Sequence, residues 1–189
     1  MEIFVTRHGQ TDWNVLGKIQ GQTDIKLNDT GRNQAEETGM QIQNEKIDLI
    51  ITSPLKRAKE TAEIINKNFN VSIIEDDRLL ERKYGRNEGS TKEDIQEMEK
   101  KNPDVNELWN YNKNVKINDI EPMKNFVDRI YNFLDDVTEN YKNKNILIVT
   151  HGGATVAVKC YFEKYHLEEL VGRKNVEALK NCEIIKFLK

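Results

Sequence analysis

Apolar residues fall along this chain in two alternating textures. Short runs rich in branched apolar side chains stand at Ile3–Thr6, Leu49–Ile51, Val71–Ile74, Ile146–Val149 and Ile184–Leu188. They are too short for helices and predict strands. Between them the apolar positions recur at helical spacing. Asn28 is a favourable N-cap for a helix carrying Ala35, Gly39 and Ile42. Ser53-Pro54 sets a capping residue before a proline at the first helical position, and the helix it predicts carries Ala58, Ala62 and Ile65 on one face, with Phe69 just beyond. A longer helix is expected from near Pro122, with Phe126, Ile130, Phe133 and Val137 in one stripe. A last one follows Gly153, with Val156 and Cys160 on one face and Ala157 and Tyr161 on the next. Strands alternating with helices predict an α/β fold of three layers, αβα, in which helices cover both faces of a mostly parallel central sheet.

The stretch from about Ser90 to Glu121 breaks this pattern. It is charged and poor in apolar residues, with Ile95, Met98, Leu108 and Trp109 as its main anchors. It reads as a cap-like insertion lying over the sheet of a single domain spanning 1–189. A chain of 189 residues suits one domain and can bury a real core.

Composition changes the picture only where it excludes. The N-terminus Met1-Glu2-Ile3-Phe4-Val5 lacks the basic segment and long apolar run of a secretory leader, and no run is long enough to cross a membrane, so a cytoplasmic location is expected. The net charge of −3 argues against a general nucleic-acid or membrane-surface binder. Any anion site must therefore be a local basic cluster. Cys160 and Cys182 lack CxxC spacing and read as buried thiols of a reducing compartment. No uncovered apolar stripe specifies an oligomeric state.

In open α/β sheets, ligands bind beyond the carboxyl ends of the strands. Arg7 and His8 follow the first predicted strand, Ser53 and Arg57 the second, and His151 the fourth; Glu81 lies a few residues past the third. Arg57 sits in the opening turns of its helix, where a cation opposes the helix dipole and a bound anion would reverse that cost. His151-Gly152-Gly153 forms a strand-to-helix turn whose glycines let backbone amides approach an anion. A tight turn holding a packed histidine would account for either histidine alone; joint placement favours an anion site. Metal binding is the rival use of two histidines, but Arg7 beside His8 is electrostatically wrong for a dication, and zinc wants three or four protein ligands. His166, among Glu168 and Glu169, reads as a surface histidine. Phosphate-loop, dinucleotide and α/β-hydrolase signatures are absent.

These residues resemble the histidine phosphatase superfamily, the phosphoglycerate mutase-like proteins, over nearly the whole chain. The resemblance runs through Arg7-His8-Gly9-Gln10-Thr11-Asp12-Trp13-Asn14, Leu27-Asn28-Asp29-Thr30-Gly31, Thr52-Ser53-Pro54-Leu55-Lys56-Arg57-Ala58, Arg78-Leu79-Leu80-Glu81-Arg82-Lys83-Tyr84-Gly85 with Glu88-Gly89, and Val149-Thr150-His151-Gly152-Gly153. It implies a phosphoglycerate mutase-like fold. It also implies His8 as a nucleophile that becomes phosphohistidine, and Arg7, Arg57 and a charged His151 as holders of the phosphoryl oxygens. Asn14, the amide of Gly152 and Thr11 would add hydrogen bonds. Gln20 and Gly21 would line the substrate entrance, and Glu81 would be the proton donor. No metal or other cofactor is implied, because the arginines and His151 supply the positive field.

The expected activity is metal-independent hydrolysis of a small phosphorylated metabolite. A cofactor-dependent phosphoglycerate mutase and a non-catalytic phospho-ligand binder are the alternatives. The mutases carry adjacent arginines in their insertion, whereas Ser90–Glu121 offers scattered Lys92, Lys100, Lys101, Lys113 and Lys116. The family's Gly-Glu-Ser before the long helix appears here as Ile120-Glu121-Pro122.

Overall fold

A computed structural model describes residues 1–101, 110–111, 119–165 and 176–189. The expected anchors Leu108 and Trp109, the lysines Lys113 and Lys116, and His166 with its acidic neighbours lie outside the described residues. Five strands form one sheet: β1 (Glu2–Arg7), β2 (Leu49–Thr52), β3 (Ile73–Glu75), β4 (Ile146–Thr150) and β5 (Ile184–Leu188). Their order is β3-β2-β4-β1-β5; every pairing is parallel except the antiparallel edge pair β1 and β5. The helices are α1 (Asp12–Val15), α2 (Asp29–Gln41), α3 (Lys56–Asn66), α4 (Lys92–Lys101), α5 (Met123–Asn140) and α6 (Gly152–Glu163).

Alternation along the strands splits the core in two. Ile3, Val5, Leu49, Ile51, Ile146 and Ile148 pack on one face with Phe126, Ile130, Phe133 and Val137 of α5 and Ala154 and Ala157 of α6. Phe4, Ile50, Leu147 and Val149 pack on the other with Ala35 of α2 and Ala58, Ala62 and Ile65 of α3. Both faces of β4 are covered, which is why that strand reads as an unbroken apolar run. Side chains such as Ile130, buried completely, each contribute about 2 kcal/mol or more of transfer free energy. The three-layer αβα architecture is the one the sequence predicts.

Two boundaries differ from expectation by more than one residue. The third strand begins at Ile73 rather than Val71. Asn66 occupies both backbone groups of Val71, its Nδ2 donating to the Val71 carbonyl at 2.9 Å and its Oδ1 accepting from the Val71 N–H at 3.0 Å. Val71 is thus spent on a turn before the ladder starts. The second helix of the α/β pattern, α3, begins at Lys56, with Leu55 rather than Ser53 at its N-cap. The first N–H of α3, on Lys56, donates to Asp24 Oδ1 at 2.8 Å. A distant aspartate therefore does the capping and leaves Ser53 for another use. Asn28 caps α2 as expected, accepting from Gly31 N at 2.9 Å.

Within the insertion, Thr91 and Asp94 exchange backbone-to-side-chain hydrogen bonds at the start of α4, at 2.7 and 3.3 Å. Ile95 and Met98 of that helix are half-buried. Both cysteines are free and buried, and burial pushes their thiols up to about 11 at Cys160 and about 12 at Cys182. Among the described residues, no helix is long and apolar enough to cross a membrane.

Candidate active site

The carboxyl ends of the three central strands carry the site. Arg7 ends β1 in register with Thr150, which ends β4. One step on, the His8 N–H donates to the Thr150 carbonyl at 2.9 Å, and the Ser53 N–H donates to the Val149 carbonyl at 3.1 Å. His8 and His151 therefore leave the sheet side by side, with ring centroids 5.2 Å apart and planes inclined at 57°. Both are almost completely buried, His8 at 2% exposure and His151 at 0%.

The loop after His8 is pinned by backbone contact. A Cβ on Gly9 would collide with the Gly31 carbonyl, and one on Gly31 with the Gln10 backbone, so glycine at both positions lets the loop lie directly on the start of α2. Thr61 of α3 accepts from the Gly9 N–H at 3.0 Å. The result fixes the His8 ring: its Nδ1 lies 2.7 Å from the Gly9 carbonyl oxygen. A carbonyl can only accept, so Nδ1 carries the proton and Nε2 presents its lone pair.

Two cations stand around this ring. Arg57 is fully buried and donates from Nη1 to the Thr23 carbonyl at 2.8 Å and from Nη2 to the Gly21 carbonyl at 2.7 Å. Gly21 holds its carbonyl there with φ at +52°, where a Cβ would strike the Glu88 carboxylate. Glu88 in turn accepts from the N–H groups of Gln22 and Tyr84 at 3.1 and 3.0 Å, and from the Thr23 hydroxyl. Burial pushes Arg57 down to about 10, offset in part by Glu81, Asp24 and Glu88; it remains charged at neutral pH. Arg7 donates from Nη1 to the Leu179 carbonyl at 3.1 Å, and its guanidinium lies beside Gly152, where a Cβ would sit 3.4 Å from Arg7 Cζ.

Burial first, then Arg57 and Arg7, hold His8 well below the usual histidine range of 6.5. Burial and the charges of Arg57, His8, Arg7 and Arg129 do the same to His151. His151 is therefore neutral at pH 7 in the ligand-free protein. Its Nε2 lies 2.7 Å from Ser53 Oγ, which also accepts from the Leu55 N–H at 3.4 Å. Among the described residues, His151 Nδ1 and Arg57 Nε are buried without a hydrogen-bond partner.

The two lowered histidines set a pH dependence of stability. Below about 6.5 the unfolded chain protonates histidines that the folded chain keeps neutral, so the unfolded state takes up more protons and stability rises with pH. Their contribution is complete above 6.5 and is lost on acidification at about 1 kcal/mol or more per histidine per pH unit. In phosphate-free buffer, Tm should fall more steeply from pH 6.5 to 5 in the wild type than in the His8→Asn, His151→Asn double variant. Parallel slopes would contradict the neutral assignment.

The fourth component is Glu81. Its Oε1 accepts from the Arg82 N–H at 2.9 Å and its Oε2 from the Gly153 N–H, in the first turn of α6, at 2.9 Å. Gly153 must be glycine for this, since a Cβ would collide with Glu81 Oε1. Gly152 precedes it as the first residue of α6. Thr11 and Asn14 close a reciprocal capping box on α1. Thr11 is fully buried, and its hydroxyl and its N–H both donate to Asn14 Oδ1, at 3.1 and 3.0 Å. Gln20, at 8% exposure, and Gly21 lie on the loop that Arg57 clamps.

Residues without an expected role also build the site. Asn181, before β5, donates to the His8 carbonyl at 2.8 Å and to Asn14 Oδ1 at 3.3 Å. Gln22 Nε2 donates to the Glu81 carbonyl at 3.1 Å. Arg129 of α5 reaches the loop that carries Glu81. Arg129 flanks the stripe Phe126–Ile130–Phe133, and a charge at the border of an apolar face was its signal; Asn181 had none. Among the described residues, no cluster of three or more His, Cys, Asp or Glu could hold a metal ion.

The chain is similar to known proteins over most of its length. The model of the histidine phosphatase superfamily (branch 1) matches residues 3–187. The uncharacterized phosphatase PhoE of Bacillus subtilis is 44% identical over 156 residues, covering 82% of this chain and 74% of that protein. A 2,3-bisphosphoglycerate-dependent phosphoglycerate mutase of Cytophaga hutchinsonii is 30% identical over 172 residues, covering 89% and 80%. The phosphoserine phosphatase of Entamoeba histolytica, solved in complex with 3-phosphoglyceric acid, superposes with a TM-score of 0.83 at 27% identity, covering 99% of this chain and 90% of that one. The chain belongs to the histidine phosphatase superfamily, branch 1.

Proposed function

We propose that this phosphatase hydrolyses a small phosphorylated metabolite in two steps through a phosphohistidine at His8, without a metal ion. The observation that carries the reading is the state of the His8 ring: buried, neutral, and directed by the Gly9 carbonyl so that Nε2 is the bare nitrogen. In the first step Nε2 attacks phosphorus, the bond to the leaving oxygen breaks, and Glu81 gives that oxygen a proton. In the second, water attacks phosphorus, Glu81 takes its proton, and the N–P bond breaks to return neutral His8.

Phosphoryl transfer spreads negative charge over the equatorial oxygens, so positioning and electrostatics carry the rate. Arg7, Arg57 and His151 surround His8 and take that role. Arg57 Nε and His151 Nδ1, buried and unpartnered among the described residues, gain partners when a phosphoryl group is held. His151 enters neutral and gains a proton beside the dianion, since an adjacent negative charge favours the imidazolium. Asn14 Oδ1 is taken by Thr11 and Asn181, which leaves its amide NH2 to donate, together with the Gly152 N–H. Thr11 supports Asn14 through the cap. Gln20 and Gly21 flank the entrance. The segment 90–121 serves as a cap on the single domain and selects the metabolite. Free buried cysteines are in keeping with a reducing cytoplasm.

A panel of phosphorylated metabolites, with phosphoserine and 3-phosphoglycerate among them, tests this reading in excess chelator. Phosphate release from at least one, at a rate chelator does not change, is the expected result. Rapid isomerisation of 3-phosphoglycerate on a trace of 2,3-bisphosphoglycerate, with little free phosphate, would replace it with a mutase. Saturable phosphate binding without release from any ester would leave only a binder.

A further inference from the structure

The run Arg78–Glu81 leaves β3 without joining another strand, so its carbonyls need partners from elsewhere. Side chains supply all of them. Thr150 Oγ1 donates to the Leu79 carbonyl at 2.8 Å. Arg129 takes those on either side: Nη1 donates to the Arg78 and Leu80 carbonyls, both at 2.7 Å, and Nη2 to the Glu81 carbonyl at 3.1 Å. Glu121 orients that guanidinium through a paired contact, Nε to Oε1 at 2.8 Å and Nη2 to Oε2 at 3.0 Å. The same Glu121 also grips the chain just past Glu81. Its Oε2 accepts from the Lys83 N–H at 3.2 Å, its carbonyl from Arg82 Nε at 2.8 Å, and its N–H donates to the Lys83 carbonyl at 2.9 Å.

We infer that Arg129, oriented by Glu121, is the positioning residue for the general acid Glu81; this rests on the acid role proposed above. Arg129 holds the backbone at and before Glu81, Glu121 holds the backbone just after it, and neither touches its carboxylate. That carboxylate depends on where the backbone sits, because among the described residues it is hydrogen-bonded by the N–H groups of Arg82 and Gly153. Arginine's planar fork can serve three carbonyls and a carboxylate together. A lysine ammonium is one point at the end of its stem and cannot. A purely structural role for this ion pair would lower stability and affect all substrates alike. A positioning role singles out substrates whose leaving group needs a proton.

The test measures kcat and KM on an alkyl phosphate and on 4-nitrophenyl phosphate for wild type, Arg129→Lys, Glu121→Gln, Glu81→Gln and the double variant Arg129→Lys, Glu81→Gln, with Tm for each. Arg129→Lys should lower kcat/KM, which reports the leaving-group step, about 10-fold or more on the alkyl ester while changing it by less than about 3-fold on the aryl ester. Glu121→Gln, which keeps Arg129, should give a smaller loss with the same bias, and so carries the test if the lysine variant folds poorly. In the Glu81→Gln background, Arg129→Lys should add nothing on the alkyl ester. Equal losses on both esters, or full additivity in the double variant, would overturn the inference. Absence of a leaving-group bias in Glu81→Gln itself would remove the acid role, and the inference with it.

Discussion

Replacing His8 with alanine is expected to reduce phosphate release on the order of 10⁴-fold or more, for every ester the protein accepts. The size follows from what is lost. The remaining arginines can hold a phosphoryl group, but no other side chain offers a bare nitrogen directed by the Gly9 carbonyl. His151 does not substitute, because its Nε2 is engaged by Ser53. The variant should still bind inorganic phosphate, since Arg7 and Arg57 remain. Rapid quench of the wild type should trap protein-bound phosphoryl that is acid-labile and base-stable, and the variant should trap none. Wild-type turnover in His8→Ala would end the phosphohistidine reading.

The second large effect is expected at Glu81. Glu81→Gln keeps the shape and can still accept the Gly153 and Arg82 N–H groups through its amide oxygen, so the fold should survive. It cannot deliver or collect a proton. Turnover of alkyl phosphates should fall about 10²- to 10⁴-fold. The kcat/KM for 4-nitrophenyl phosphate, whose leaving group departs as an anion, should fall far less, since it reports only the step in which the leaving group departs. Plotting log kcat/KM against leaving-group pKa checks this: the slope should steepen in the variant. An unchanged slope would mean that another group, or water, protonates the leaving oxygen.

Much of this arrangement was legible because the chemistry sits at strand ends, and strand ends are what hydrophobic patterning marks best. Arg7-His8 and Thr150-His151 each follow an apolar run that both core layers cover, so their placement on one rim followed from the α/β pattern. What the pattern missed depends on partners remote in sequence. Ser53 reads as a helix cap, yet Asp24, on another loop, caps α3 and frees Ser53 for His151. The state of His151 without ligand also depends on remote partners. A list of nearby cations suggests a positive field, but burial together with those same cations keeps the imidazole neutral until an anion arrives. Arg129 lies 48 residues from Glu81 and serves it through backbone carbonyls, which leave no trace in side-chain identity.

Thr150 serves both halves of the chemistry. Its carbonyl receives the N–H of the nucleophile, and its hydroxyl donates to Leu79, inside the run that carries the acid. Nucleophile and acid are thus surveyed from one benchmark, the end of the central strand. Neither of these two measurements passes through the insertion at 90–121. On the proposed reading, substitutions between 90 and 120 change which metabolite is admitted, whereas Glu121, which holds the chain beside Glu81, stays tied to the chemistry. The proposed division of labour then lets a lineage exchange one substrate for another without moving the strand end from which nucleophile and acid are both placed.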